Sequence, residues 1–409
     1  MVRFAIVVIL LLLLGVRFWL YYGDFKEYKD GQEVRQVFVL GNEPRVLYGK
    51  QNLKVKDGYG TSINVVTDMS TKYELGDRVF INGVFTKKLY KGHFFLSINF
   101  PNIQIVDSDK NILTKSSNWI KDRAQTLYEN HLSPTSASLL LGMIFGGKHG
   151  MDKSFEDDLR VTGVMHVVAA SGMNVTFVAG AMIAVLGLFL KRQLVLVISA
   201  LGVIYYLFLA GFEESIVRAG IMALMAFGAG LFGRQYFGMY ALVLTFYMMV
   251  FFNPSMLFAV GFQLSFLATL GILAIKPMLD GLGVVKRLGS LGQDLTTTLA
   301  AQAGVTPVML SVFGSVGVLS VPANMLALWV VPIVMIFGAI GLIVGIFFEP
   351  LGVLFLYLAE PFLWYFEQVV SFFGGFGLNW VVDGLSWEVV VGYYLVVSGI
   401  LIFLKERKS

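Results

Sequence analysis

The run HVVAASGMNVTFVAG, residues 166–180, contains the residues of this chain best suited to chemistry in a membrane. It places His166, Ser171, Gly172 and Asn174 inside a segment that is otherwise apolar. Polar side chains are costly in hydrocarbon unless they meet a partner or water, and intramembrane polar residues commonly mark functional sites. The run therefore predicts a polar site, or part of a pathway, within the membrane.

Other apolar segments also contain polar residues. A single residue of this kind commonly joins two neighbouring helices through a hydrogen bond worth about 1 kcal/mol. Several of them stand beside Gly or Pro, whose backbone breaks expose polar groups that water in a cavity can satisfy. We therefore expect a shared, water-accessible pathway that includes Arg218, Gln263, Ser265, Gln302 and Asn324.

A catalytic role for Ser171 is the weaker interpretation. His166 precedes Ser171 by five residues, which is about 140° around a straight helix and unfavourable for a Ser–His dyad. The chain has no cysteine and only four widely separated histidines, which disfavours thiol nucleophiles and zinc hydrolase motifs. The sequence predicts no enzyme, metal or cofactor, with an intramembrane hydrolase that uses Ser171 as an alternative.

The composition identifies the class of protein. Of 409 residues, 56% are hydrophobic and 14% are charged, and the mean hydropathy is +0.73. Soluble domains contain about 25% charged residues, so this is an integral membrane protein. The net charge of +4 is small for the chain length. Contact with nucleic acid would therefore depend on a local basic lining.

Composition also divides the chain into four predicted parts. Residues 1–23 form an apolar transmembrane anchor, and residues 24–110 alternate polar and apolar positions in about five short strands. This length and strand number favour a small β domain resembling an OB barrel. Residues 111–160 are predicted as an amphipathic, interfacial helical region in which Glu156, Asp157, Asp158 and Arg160 form a solvated face. Residues 161–409 form a polytopic helical domain.

The fold class predicted is a polytopic α-helical membrane protein with roughly ten transmembrane helices and an extracytoplasmic β domain. Basic residues alternate with nearly uncharged loops, which favours cytoplasmic N- and C-termini and a β domain outside. In this topology, Arg160 lies near the outer entrance of the predicted pathway. Besides the anchor, the predicted spans are 161–190, 194–210, 216–232, 236–252, 256–275, 294–312, 319–347, 351–372 and 387–404.

Four motifs, in order, resemble the ComEC competence family of DNA-uptake channels. HVVAASGMNV at 166–175 is similar to the family pattern His-Leu-Leu-Ala-x-Ser-Gly-Leu-His-Val, and VRAGIMA at 217–223 to its arginine-bearing helix. NPSMLFAVGFQLSFLATLG at 253–271 is similar to its Pro…Val-Gly-Phe-Gln-Leu-Ser-Phe signature, and the stretch 300–328 to its Gln…Pro…Phe-Gly…Asn segment. Asn174 departs from the pattern, because the family has a second histidine there.

The resemblance implies a channel for single-stranded DNA across the bacterial cytoplasmic membrane during natural transformation. It also implies a cytoplasmic helicase-type motor and an extracytoplasmic DNA receptor as partners, besides the membrane lipids. Many family members continue into a metallo-β-lactamase-like domain, and this sequence has no such motif. We therefore expect the form without that domain, with any nuclease on a separate protein. A transporter or flippase of a small or lipidic solute remains the alternative function.

Overall fold

The computed structural model describes most of the chain, and the chain divides into two compact units. The first consists of residues 1–121, 178–236 and 243–259, and the second of residues 122–177, 237–242 and 260–409. The structure describes all residues except 1, 24–28, 42–43, 48–49, 57–61, 70, 72, 75, 91–92, 108–111, 147–150, 169–170, 282–284, 286, 288, 383–384 and 407–409.

A small β-barrel forms the polar part of the first unit. Its strands follow the segments in which apolar and polar residues alternate, because alternate side chains of a strand point to opposite faces. The strands are β1 Glu33–Leu40, β2 Arg45–Leu47, β3 Lys50–Lys56, β4 Ser62–Asp68, β5 Arg78–Tyr90, β6 His93–Asn99 and β7 Asn102–Asp107.

Five of these strands close into a ring in the order β1-β3-β4-β6-β5, with β5 paired back to β1. The β4–β6 pairing is parallel and the others in the ring are antiparallel. Closure satisfies the strand edges that an open sheet would expose. The prediction of a small β domain over this region is confirmed.

The barrel interior explains the alternation in the sequence. Its fully buried residues include Phe38, Leu53, Ile81 and Ile98. Gly83 lies where the barrel has no room for a side chain, since an added Cβ would come within 2.7 Å of Ile98 Cγ2 and 2.8 Å of Pro101 Cβ. Glycine in a strand thus permits the close approach of a neighbouring segment.

Most of the other described residues of both units are helical. In chain order they are α1 Val2–Gly23, α2 Ile112–His131, α3 Pro134–Phe145, α4 Lys153–Val161, α5 Met165–Val168, α6 Gly172–Leu186, α7 Arg192–Leu209, α8 Glu214–Leu231, α9 Gly238–Phe252, α10 Val260–Ala274, α11 Lys276–Leu279, α12 Gly289–Phe313, α13 Ser320–Ala327, α14 Val331–Phe347, α15 Glu349–Gly374 and α16 Trp387–Glu406. Short 3₁₀ turns cover Pro254–Phe258 and Leu328–Val330, and β8 Ser315–Gly317 pairs with β9 Asn379–Val381.

Six helical segments in the described part of the chain are long and apolar enough to cross a membrane. They are Arg192–Leu209, Glu214–Leu231, Val260–Leu279, Gly292–Phe313, Ser320–Phe347 and Glu349–Gly374. Five shorter apolar helices, Val8–Gly23, Pro134–Phe145, Gly172–Leu186, Gly238–Phe252 and Trp387–Ile400, accompany them. The chain is therefore a membrane protein, and the larger number of about ten spans stays a prediction.

The predicted continuous span over residues 161–190 is wrong. The chain turns at Gly163, whose φ of +70° suits a glycine, then forms the short helix α5 and begins α6 at Gly172. The predicted span over 319–347 corresponds to the helical segment Ser320–Phe347, in which a 3₁₀ turn joins α13 to α14. The break within 161–190 lies next to His166 and Ser171 of the predicted pathway.

Arg17 connects two helices of the first unit. Its Nε donates a hydrogen bond to the carbonyl oxygen of Phe251 at 3.1 Å, and its Nη2 donates to that of Phe252 at 3.4 Å. These carbonyls belong to the last turn of α9, where helix carbonyls lack partners within the helix and the helix dipole favours a cation. The arginine that interrupts the apolar sequence of α1 therefore stabilises the end of α9.

Small residues set the helix crossings in the second unit. Gly304 of α12 lies so close to Leu267 of α10 that an added Cβ would clash with the Leu267 carbonyl oxygen, and Gly271 is equally close to Ala300. Close backbone approach of this kind is typical of membrane helices. Since Leu267 faces Gly304 while Gly271 faces Ala300, the two helices run antiparallel.

Candidate polar pathway

His166 is positioned by the turn at Gly163 in the second unit. Its Nδ1 lies 2.9 Å from the carbonyl oxygen of Gly163, and the side chain is exposed. A carbonyl oxygen only accepts, so Nδ1 carries the proton in this hydrogen bond. In the neutral ring, Nε2 is then left as an acceptor that water or a ligand can use.

Gly163 also lies directly against Ser320, the first residue of α13. An added Cβ on Gly163 would come within 2.9 Å of Ser320 Cβ, so only glycine leaves this contact undisturbed. Ser320 accepts a hydrogen bond from Gln302 Nε2 at 2.7 Å. The Gly163 turn thus joins His166 of α5 to Ser320 of α13 and Gln302 of α12.

Asn324 extends this group by one turn of α13. It follows Ser320 by four residues, which places both on one face of the helix. The side chain is 5% exposed, and within the described part of the chain its Oδ1 has no hydrogen-bond partner. A buried acceptor without a partner is costly and is commonly satisfied by water or a ligand. We call His166, Gln302, Ser320 and Asn324 the polar cluster.

Ser171 and Asn174 form a separate contact at the start of α6. Ser171 Oγ donates to Asn174 Oδ1 at 2.9 Å, and Asn174 Nδ2 donates to the Met143 carbonyl oxygen at 2.8 Å. Asn174 is 1% exposed, so its amide connects α6 to α3 inside the protein. The Ser171 hydroxyl donates to Asn174 instead of His166, and these described side chains form no Ser–His dyad. Gly172 is the first residue of α6 and lies next to this contact.

Gln263 and Ser265 lie on α10, half-buried. The Ser265 carbonyl oxygen accepts a hydrogen bond from the Thr269 hydroxyl one turn later, at 2.9 Å. The helices α10 and α12 are antiparallel, and Leu267 lies opposite Gly304. Gln263, which precedes Leu267 by one turn, therefore lies level with residues that follow Gly304, whereas Gln302 precedes Gly304. The helix crossing therefore separates Gln263 from Gln302 along the axis of α12.

The two predicted cations differ in their surroundings. Arg218 lies in the first unit on α8, is half-buried, and donates from Nη1 to Met222 Sδ at 3.6 Å. Arg160, on α4, contacts two carboxylates, at 2.5 Å from Glu156 and 3.6 Å from Asp157. These two ion pairs offset the Arg160 charge.

Glu156 was predicted to lie on a solvated face of α4, and this prediction is wrong. Its side chain is buried, at 6% exposure, while Asp157 is exposed at 53%. A carboxylate is rarely buried without a partner, and Arg160 supplies one from the next turn. Arg160 therefore serves first to neutralise Glu156.

The sequence did not identify Ser320 of the polar cluster or Gly163, which packs against it. Ser320 and Gly163 carry no chemical signature of their own, and their roles arise from a contact across 157 positions of the chain. The only local signal is a small residue at each side of a helix break. Within the described part of the chain, no three His, Asp or Glu side chains come together as a possible metal site.

The model of a family described as "Competence protein" matches residues 143–408, which is more than half of the chain. The chain belongs to the competence protein family. The matched region contains the polar cluster, the Ser171–Asn174 contact, Arg160, Arg218, Gln263 and Ser265, so all the predicted pathway residues lie in the part that defines the family.

Two curated proteins are similar to this chain. The ComE operon protein 3 of Bacillus subtilis (strain 168) is 25% identical over 243 residues, which is 59% of this chain and 30% of the relative. An uncharacterized protein of Aquifex aeolicus (strain VF5) is 26% identical over 264 residues, or 64% of this chain and 60% of the relative. The match thus spans less than two thirds of either relative. No solved structure matches the chain.

Proposed function

We propose that this membrane protein is a channel for single-stranded DNA, which crosses the bacterial cytoplasmic membrane through it during natural transformation. Membership of the competence protein family supports a role in DNA uptake. Six apolar helical segments long enough to span a membrane support a location in the lipid bilayer. We further propose the predicted topology, in which both termini are cytoplasmic and the β-barrel, of OB type, is outside.

The observation that carries the proposal is the chain of contacts that runs from His166 through the Gly163 turn and Ser320 to Gln302. His166, Ser320 and Gln302 belong to three different helices. Asn324 lies one turn after Ser320 on the same face of α13. Interrupted helices at membrane depth are tolerated where they line a water-filled cavity or are buried in protein. The exposed ring of His166 and the unpartnered Oδ1 of Asn324 favour a hydrated wall.

A DNA strand places specific demands on such a wall. It is a polyanion with bases that vary along the sequence, so its path needs water, some positive potential and contacts that tolerate any base. Neutral hydrogen-bonding groups meet the last demand, and sites that bind weakly allow the strand to leave. Arg218 is the cation we propose for this path, with Gln263 and Ser265 as further lining groups and Arg160 near its entrance.

The proposed partners follow from the same function. We propose a cytoplasmic helicase-type motor that pulls the strand, an extracytoplasmic DNA receptor and a nuclease on a separate protein. Binding of DNA at the cell surface should then be independent of this chain, whereas passage into the cytoplasm should require it.

Deletion of the gene tests the proposal. Labelled DNA should still bind to the cell surface but should no longer reach the cytoplasm, and the intact gene should restore passage. Normal transformation of the deletion strain would refute the channel and would favour a transporter of a small or lipidic solute. Complementation with His166→Ala should restore passage only in part, while Ser171→Ala should restore it well, because Ser171 has no geometry for catalysis.

A further inference from the structure

A cavity of about 240 Å³ lies in the second unit, between α2 and the turn that joins α14 to α15. Arg123 and Thr126 of α2 line one side. Ile346 and Phe347 at the end of α14, with Glu349 at the start of α15, line the other. We call this space the hairpin-tip cavity. It is distinct from the polar cluster and from the Ser171–Asn174 contact.

Two opposite charges border the hairpin-tip cavity. Arg123 is exposed, and no hydrogen bond or ion pair joins it to another residue in the described part of the chain. The Glu349 carboxylate is 62% exposed and lies 3.3 Å from His131 Nε2. The cavity therefore presents an arginine on α2 and a carboxylate at the hairpin tip.

The remaining wall is apolar. Leu127 of α2, which is 7% exposed, separates the cavity from the interior. Gly345 of α14 is so close to it that an added Cβ would come within 2.9 Å of Leu127 Cδ2. This close packing keeps α2 against the hairpin. The cavity is therefore amphiphilic, with an apolar base and charged edges.

The position of the cavity relates it to the membrane surface. The apolar span that contains α14 ends at Phe347, and the next span begins at Glu349. Phe347 is 86% exposed and Phe348 is 60% exposed at this turn. The end of an apolar span lies at the boundary between hydrocarbon and headgroups. The hairpin-tip cavity thus opens where lipid headgroups lie.

We propose that the hairpin-tip cavity binds the headgroup of a phospholipid that carries both a phosphate and a primary ammonium, as phosphatidylethanolamine does. Arg123 pairs with the phosphate, since guanidinium matches phosphate geometry. Glu349 accepts hydrogen bonds from the ammonium, and the upper part of an acyl chain lies along Ile346 and Phe347. The volume suits a headgroup and is too small for a whole lipid. This inference does not depend on DNA transport.

The charge pattern selects this lipid over other phosphate-containing ligands. A headgroup with only a negative charge would pair with Arg123 but would meet the carboxylate of Glu349. A choline headgroup has a positive charge but no N–H to donate to that carboxylate. Free phosphate would pair with Arg123 but would leave the carboxylate of Glu349 without a cation. A zwitterionic ethanolamine headgroup satisfies both charged residues and the apolar wall.

The test uses the full-length protein purified in detergent, with three phospholipids that share the same acyl chains. The headgroups are ethanolamine, glycerol and choline. Native mass spectrometry counts the bound lipids, and the thermal unfolding temperature is measured for each lipid. We expect the ethanolamine lipid to bind best and to raise the unfolding temperature most. Arg123→Gln should lower its affinity about tenfold. Glu349→Gln should remove the preference for ethanolamine while binding of the glycerol lipid is kept or improved.

Matched variants separate this site from lipids that surround the protein. Arg192→Gln changes another exposed arginine at the end of a membrane helix, and Glu388→Gln changes another glutamate in the first turn of one, so both should leave binding unchanged. His131→Gln should retain the ethanolamine preference. That result would show that the effect of Glu349→Gln does not come from loss of the contact with His131. Thr126→Phe should block the cavity without a change in charge, and Thr126→Leu serves if the larger residue lowers the yield of folded protein.

Three results would overturn the proposal. Equal lipid binding by Arg123→Gln and Arg192→Gln would exclude a phosphate contact at Arg123. Equal preference for glycerol and ethanolamine lipids in the unmodified protein would exclude the zwitterion. Displacement of the lipid by a short single-stranded oligonucleotide, with loss of oligonucleotide binding in Arg123→Gln, would assign Arg123 to DNA instead.

Discussion

Asn174 donates a hydrogen bond from Nδ2 to the backbone carbonyl oxygen of Met143, at 2.8 Å, and so holds the start of α6 against α3. The second amide atom, Oδ1, accepts from Ser171. The family pattern that this run resembles has a titratable histidine at this position. In this chain the position is an amide, which makes both hydrogen bonds without any change of charge. In this chain the residue therefore positions α6 against α3 and lies outside the polar cluster.

Replacement of Asn174 by alanine should destabilise the protein. Asn174→Ala leaves the buried Met143 carbonyl without this donor, at a cost of about 1–3 kcal/mol. The measurement is the thermal unfolding temperature in detergent. Thr176→Ala is the control, since Thr176 is exposed and its hydroxyl bonds only to Gly172 of its own helix. Equal unfolding temperatures for the two variants would contradict a structural role of Asn174.

Gln302 and Ser320 should behave as an energetically coupled pair. Gln302→Leu, Ser320→Ala and the double variant form a double-mutant cycle for the hydrogen bond of 2.7 Å between them. Measured couplings between membrane helices average about 0.6 kcal/mol, and we expect a value in that range from the free energies of unfolding. Strictly additive effects would show that this contact does not stabilise the polar cluster.

Arg17 should stabilise the C-terminal end of α9. Arg17→Gln removes the cation and the two-pronged hydrogen bond to Phe251 and Phe252, so the unfolding temperature should fall. Arg17→Lys should restore part of the loss, because the charge returns without the guanidinium geometry. Arg35→Gln is the control, with a side chain that is 67% exposed on the barrel. No difference between Arg17→Gln and this control would refute the capping role.

Asp280 should make stability dependent on pH in the acid range. Hydrogen bonds from Lys276 and Thr296 hold the pKa of this carboxyl below its ordinary value. A depressed folded-state pKa contributes stability above the unfolded pKa of about 4, and this stability is lost as the pH falls through the folded value. The unfolding temperature of the unmodified protein should therefore decline more steeply below about pH 4 than that of Asp280→Asn. Parallel declines would exclude Asp280 as the cause.

Arg218 should affect DNA passage through its charge. Arg218→Glu should lower the amount of labelled DNA in the cytoplasm much more than Arg218→Lys, since a carboxylate repels the polyanion while an ammonium still attracts it. Both variants need to be compared at equal amounts of protein in the membrane. An equal loss in both would indicate that the guanidinium geometry holds the helix together and does not serve passage.

The sequence predicted much of the architecture because the relevant signals are local. Low charge content and long apolar stretches indicate a membrane protein wherever they occur, and the alternation in residues 24–110 follows from the two faces of a strand. The family motifs, of 7 to 29 residues, are also local patterns of the sequence. The barrel, the six apolar segments and the family were therefore accessible without coordinates.

Tertiary structure decided which polar residues act together. The hydrogen bond between Asn174 and Met143, and the contacts of Gly163 with His166 and Ser320, depend on which helices cross and at what level. Hydropathy cannot reveal this, because it sums residues along the chain and contains no distance between helices. For the same reason the sequence predicted Arg160 as an available cation, whereas folding buries Glu156 beside it. The types of the polar side chains came from the sequence alone, and their partners came from the packing of helices distant along the chain.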